Sequence, residues 1–111
     1  MTDPTALLAL AERCEQAAGP DRELDNAILI ALGYSWRGMA YLHDDDNHVL
    51  KGSTFFTKIL DAAVTLVPEG CGWMVMRSAA KVGRWPSRGA TAALALCAAA
   101  LRARAQPSSD T

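Results

Sequence analysis

Residues 90–105 read ATAALALCAAALRARA, nine alanines in sixteen positions with no acid among them. Alanine has the highest helix propensity, so the stretch predicts a helix. Thr91 is placed to cap its start. Arg102 and Arg104 fall in its last turn, where positive charge complements the helix dipole. Leu94, Cys97 and Leu101 recur at spacings of three and four and line one stripe. The small side chains of Ala98, Ala99 and Ala100 let such a helix lie flat on a sheet. Docking of a second copy of the chain there is the less simple alternative.

The sheet is sought immediately upstream. WMVM, residues 73–76, is apolar on both faces and reads as a central strand. SAAK, residues 78–81, reads as a turn, and KVGRW, residues 81–85, as the partner strand. Pro86, Ser87, Arg88 and Gly89 read as the loop into the final helix. Before this hairpin, STFFTKILDAAVTLVPEG (residues 53–70) predicts a helix capped by Ser53 or Thr54. Phe56, Ile59, Leu60, Ala63 and Val67 face the core in that reading, and Thr57, Lys58, Asp61 and Thr65 face outward. Pro68 and the glycines Gly70 and Gly72 end it.

Residues 34–53 lose the helical period. MAYL and HVLK alternate, and HDDDNH (residues 43–48) lies between them, so a β-hairpin with that turn is expected. Trp36 and Tyr41 add bulk to the core or to an exposed face. The chain opens with two amphipathic helices joined at Gly19-Pro20. Asp3 caps the first, Pro4 suits its first position, and Leu7, Leu10, Cys14 and Ala17 form its stripe. Asp21 caps the second, whose stripe is Leu24, Ala27, Ile28 and Ala31 and whose stop is Gly33. The predicted order is α, α, β-hairpin, α, β-hairpin, α. This is an α+β fold, a small α-β-α sandwich-like domain with helices on a short antiparallel sheet. It occupies residues 1–105 as one domain, with 106–111 as a disordered tail.

The chain has 111 residues and 21 alanines, so its core rests on few large side chains and on close helix contacts. Net charge is −1, which gives no overall attraction to nucleic acid or membrane. The charge is segregated: residues 1–70 carry 11 acidic and 5 basic side chains, and residues 71–111 carry 1 and 6. Packing the two halves together would neutralise both. Three cysteines, Cys14, Cys71 and Cys97, stand far apart, which argues for a reducing compartment rather than a disulfide framework. Cys14 and Cys97 read as small core residues. No apolar run reaches membrane-spanning length and no leader opens the chain, so a cytoplasmic protein is expected.

Four stretches taken in order resemble the phage ABA-sandwich domain family of small phage and prophage proteins. They are PDRELDNAI (20–28), LDAAVTLVPEG (60–70), the W-x-V strand at Trp73–Val75, and ATAALALCAAALRARA. The resemblance implies an α-β-α sandwich fold and a phage or prophage origin, and it brings no catalytic residues. Here Cys71-Gly72 intervenes before Trp73, where the family has an aromatic directly after the VPEG turn.

Three constellations could carry function. In HDDDNH, a four-residue loop over Asp44–Asn47 would set His43 opposite His48, close enough to share a zinc ion with one aspartate. Calcium is excluded by spacing: counting from Asp44, the EF-hand glycine and glutamate positions hold Val49 and Phe55. The bland reading is a solvated acidic turn. Secondly, Arg77, Lys81, Arg84 and Arg88 surround Trp85. Arginine and tryptophan anchor protein interfaces, and they also suit single-stranded nucleic acid. Their bland reading is a buried Trp85 with its arginines paired to acids. Thirdly, Cys71 with His43 or His48 could form a nucleophilic pair, yet no nucleophile elbow or oxyanion-hole signature accompanies it. Glu12, Glu15, Asp25 and Asp61 read as exposed acids on polar helix faces.

The sequence therefore leads to a non-enzymatic phage or prophage accessory protein without cofactor. It would bind a host or phage protein and could inhibit a host defence complex in the manner of anti-CRISPR proteins. Its partner-binding residues would be Asp44, Asp45 and Asp46, imitating phosphates, together with Arg77, Arg84, Trp85 and Arg88. The alternatives are a nucleic-acid-binding accessory protein and a metal-binding module at His43 and His48. A homodimer through the alanine-rich helix is compatible with each.

Overall fold

A computed structural model describes residues 4–32, 35–37, 41–43, 55–68 and 70–105. Helix α1 spans Pro4–Gln16 and buries Leu7, Leu10, Ala11 and Cys14 along the expected stripe. Helix α2 spans Arg22–Ala31, and Asp21 caps it by accepting the N–H groups of Glu23 and Leu24 at 2.9 and 3.3 Å. Strands β1 (Ser35–Arg37) and β2 (Tyr41–His43) form an antiparallel pair. Helix α3 is short, Leu60–Val64. Strands β3 (Trp73–Val75), β4 (Ala79–Val82) and β5 (Trp85–Arg88) form an antiparallel meander, and helix α4 (Ala92–Arg104) follows, capped by the Thr91 hydroxyl on Leu94 N–H at 3.2 Å.

The fold is α+β, with helices packed on a short antiparallel sheet, in the order the sequence leads one to expect. The centre of it is α4. Every residue from Ala93 to Leu101 is buried, so the single stripe of Leu94, Cys97 and Leu101 understates its role. A helix apolar all round is a buried helix. One side of α4 lies on β4 and β5, the other against α1 and α3, and α2 packs on α1. Alanine at Ala93, Ala95, Ala98, Ala99 and Ala100 lets these layers approach, while Leu94, Leu96, Leu101, Phe56, Leu66, Leu24, Ile28 and Val82 supply the bulk. The connection from β5 reaches α4 through Gly89. A Cβ there would stand 2.7 Å from the backbone nitrogen of Ala95 and 3.0 Å from the carbonyl carbon of Leu94, so only glycine fits.

Several local expectations shift. Ala79–Lys81 of the expected SAAK turn and Pro86–Arg88 of the expected loop are strand. Two tight turns, at Arg77-Ser78 and Gly83-Arg84, replace one longer reversal. Gly83 has φ +60°, as the primed turns of two-residue hairpins require. Among the described strands the order β3-β4-β5 makes β3 an edge strand, so WMVM is not central there. Strands β1 and β2 pair with Ser35 opposite His43 and Arg37 opposite Tyr41, while the hairpin expected between MAYL and HVLK, with its HDDDNH turn, lies outside the described residues. The Asp3, Ser53 and Thr54 caps, the Gly33 stop, the side chains of Trp36 and Tyr41, and the 106–111 tail lie outside the described residues.

The third helix starts later than its period suggests, for a physical reason. Thr57, expected to face water, is fully buried, and its N–H and hydroxyl both donate to the Asp25 carboxylate at 2.9 Å. Its hydroxyl also accepts the Asp21 N–H at 2.9 Å. A backbone N–H committed to a carboxylate on another helix cannot join the helical ladder, so residues 55–58 form a turn and α3 begins at Leu60. Ile59, expected inside, is consequently exposed.

Candidate binding surface

Side chains alternate across a strand, so the register assigns the two faces of the β3–β5 sheet. Trp73, Val82 and Trp85 share one row, and Val75, Ala80 and Ser87 share the next. These rows meet α4, and Ala80, Val82 and Ser87 are buried. The opposite face holds the row Met74, Lys81 and Pro86, with Ala79 and Arg88 paired beyond it. Met76 extends the second row, donating its N–H to the Ala79 carbonyl at 2.7 Å.

That outer face is open. Met74 is 62% and Met76 71% exposed, and Lys81, Pro86 and Arg88 are exposed with them. Arg77 and Arg84 sit exposed in the two turns at opposite ends of the sheet. The cations thus run its whole length: Arg77 and Arg88 at one end, Lys81 in the middle, Arg84 at the other. From Gly70 to Ala105 the sequence contains no aspartate or glutamate, so nothing within this segment neutralises them. Methionine is the most adaptable of the large apolar side chains and recurs on surfaces that accommodate partners.

The arginines and Trp85 are close in sequence but divide between faces. Trp85 is half-buried on the α4 side, beside Val82, whereas Lys81 and Arg88 point the other way. Trp73, 46% exposed, flanks Val82 from the opposite strand. The sequence grouping missed Met74 and Met76, which a central-strand reading buries. Their signal was the alternation itself once β3 is an edge. Asp44, Asp45, Asp46 and His48 lie outside the described residues. His43 has Ser35 as its cross-strand neighbour, and the expected pairing of His43 with His48 lies outside the described residues. Among the described residues no three His, Cys, Asp or Glu side chains gather as a metal site.

Asp25 also departs from expectation. It is 1% exposed and receives Thr57 from one side and the Arg22 guanidinium, at 3.2 Å, from the other. The same guanidinium lies 4.3 Å from the Phe55 ring centroid, a cation–π contact. Its sequence signal was its place three and four residues before Ile28 and Leu29, on the buried side of α2. Glu15 pairs with Arg102, and Arg102 Nε donates to Ser87 Oγ at 3.2 Å, joining α1, α4 and β5 across the acidic and basic halves. Arg104 Nε donates to the Leu66 carbonyl at 2.6 Å. Cys97 donates its thiol to the Phe56 carbonyl at 3.1 Å. The adjoining Cys14 and burial push the Cys97 thiol far up, which keeps it protonated and inert.

No described helix is long and apolar enough to cross a membrane. Comparison of the chain with known protein families, with curated proteins and with solved structures finds no match in any of the three.

Proposed function

We propose that this chain is a non-enzymatic phage or prophage accessory protein that works by binding another protein in the cytoplasm of a bacterial host. A host defence complex, of the kind anti-CRISPR proteins bind, is the partner class this reading names. The origin rests on the ordered resemblance of its four stretches to the ABA-sandwich proteins. The binding role rests on one observation: an open sheet face on which Met74 and Met76 stand among Arg77, Lys81, Arg84 and Arg88. Apolar side chains that adapt, ringed by long cations, are the composition of a recognition surface rather than of a solvated sheet.

The test is capture from host lysate with the wild-type chain and with R77E/K81E/R84E/R88E. A partner retained by the first and reduced at least about tenfold by the second, at equal melting temperature, supports the reading, since rim charges set encounter and register. Equal capture by both removes the cationic face from the function. Replacing Asp44, Asp45 and Asp46 with Asn in parallel separates the acidic segment: loss of capture there alone would make it the active surface. Low-salt fluorescence anisotropy with single-stranded oligonucleotides addresses the nucleic-acid alternative, where phosphate contacts are strongest. The division of Trp85 and the cations between faces works against base stacking combined with phosphate contact.

A further inference from the structure

We propose that the free edge of β3 accepts an acidic, extended segment of the partner protein as a fourth strand of the sheet. The inference deepens the protein-binding reading and rests on it. Three observations converge on β3.

The first is backbone geometry. Antiparallel ladders alternate residues whose N–H and C=O face the neighbour with residues whose groups face away. Gly83 N–H bonds the Gly72 carbonyl at 2.8 Å and Met76 N–H the Ala79 carbonyl at 2.7 Å. Gly72, Met74 and Met76 therefore face β4, and the N–H and C=O of Trp73 and Val75 face outward. Among the described residues β3 pairs with β4 alone.

The second is the contrast between the two edges. On β5 the Gly89 N–H bonds the Ser78 carbonyl at 3.0 Å, so Pro86 and Arg88 present the outward groups. Pro86 has no N–H to offer, and proline and charge are the usual devices that protect an edge. Strand β3 has neither. It carries exposed Trp73 and Met74, with exposed Met76 following it.

The third is charge. Arg77 lies in the turn after β3, and Lys81, Arg84 and Arg88 lie on the same sheet or its other turn, with no acid between Gly70 and Ala105. An incoming strand with carboxylates toward these cations and apolar side chains toward Trp73 complements the edge. A second copy of β3 would instead bring two sets of cations together. Main-chain pairing supplies affinity in strand addition and alternate side chains supply specificity.

The probe is a library of short random linear peptides selected on the immobilised full chain at low salt. Enrichment of acidic sequences with alternating apolar positions is expected, with hydrogen-exchange protection of the Trp73 and Val75 amides on binding. Methylating alternate peptide nitrogens, which leaves charge intact and removes the ladder donors, should weaken binding at least about tenfold. Acidic peptides that bind equally well when methylated, or without protecting those amides, overturn strand addition and leave protein binding by the cationic face standing. Enrichment of no peptide, or tighter binding of an oligonucleotide, overturns both. Protection of Trp73 and Val75 that rises with the concentration of the chain alone gives the edge to a second copy and overturns the acidic partner.

Discussion

The Asp25 carboxylate receives the Thr57 N–H, the Thr57 hydroxyl and Arg22. The turn carrying Thr57 is also held by Cys97 of α4 through the Phe56 carbonyl. One acid therefore fixes where a connecting segment meets two helices. Asp25→Ala leaves a buried N–H without an acceptor and should cost about 2–3 kcal/mol, read as a lower urea midpoint at unchanged slope. Asp25→Asn retains an oxygen for the Thr57 N–H and should lose less. An equal loss in the two variants would show that charge, not the acceptor, matters. The acid was legible as a residue of α2 but not as a buried one. Its partner lies 32 positions away, and helical periodicity carries no information about contacts of that range.

At the scale of elements, α4 is packed on both sides and buried from Ala93 to Leu101, and alanine is what so enclosed a helix accommodates. Ala99→Leu inserts three carbons where there is no room, and should destabilise by about 1–3 kcal/mol in denaturant titration. The same change at Ala103, only partly buried, should have little effect. The helix, its Thr91 cap and its arginines were legible because propensity, cap and composition agree within sixteen residues. That it is enclosed rather than laid on one surface was not, since alanine scores alike on either. The sheet was legible as short apolar runs. Its count of strands was not: Ala79–Val82 and Trp85–Arg88 are separated by only Gly83-Arg84, and so short a turn offers little local signal beyond its glycine. Edge and centre were reversed at β3 because exposed methionines in an apolar run look the same as buried ones.

For the molecule as a whole, burial sorts the three thiols. Cys14 and Cys97 are buried within the helical core, and Cys71 is partly exposed beside Gly70. In the folded protein a thiol reagent should therefore label Cys71 quickly and the other two only at the rate of unfolding, with three equivalents in denaturant. Fast labelling of two or three in native buffer would contradict the enclosed α4. The charge segregation resolves at this scale as well. Glu15 with Arg102, a half-buried pair, joins the halves where the helices and the sheet meet, while the β3–β5 cations stay on the outer face, so neutralisation is partial and the surplus is at the surface. Neither acid nor base counts in the sequence could divide these two groups of cations, because the division depends on which face of the sheet meets α4.

The enclosure of α4 also governs the timing of folding. This helix follows, in the chain, every described element it packs against. During synthesis α1, α3 and the sheet leave the ribosome before the helix they pack against. The interior can close only once residues 92–104 are available. Its contacts with α1 and α3 join segments distant in sequence, which slows the search for them. Until that moment the growing chain exposes the β3 edge and its methionines together with the surfaces meant for α4, the kind of apolar surface that makes incomplete chains prone to association.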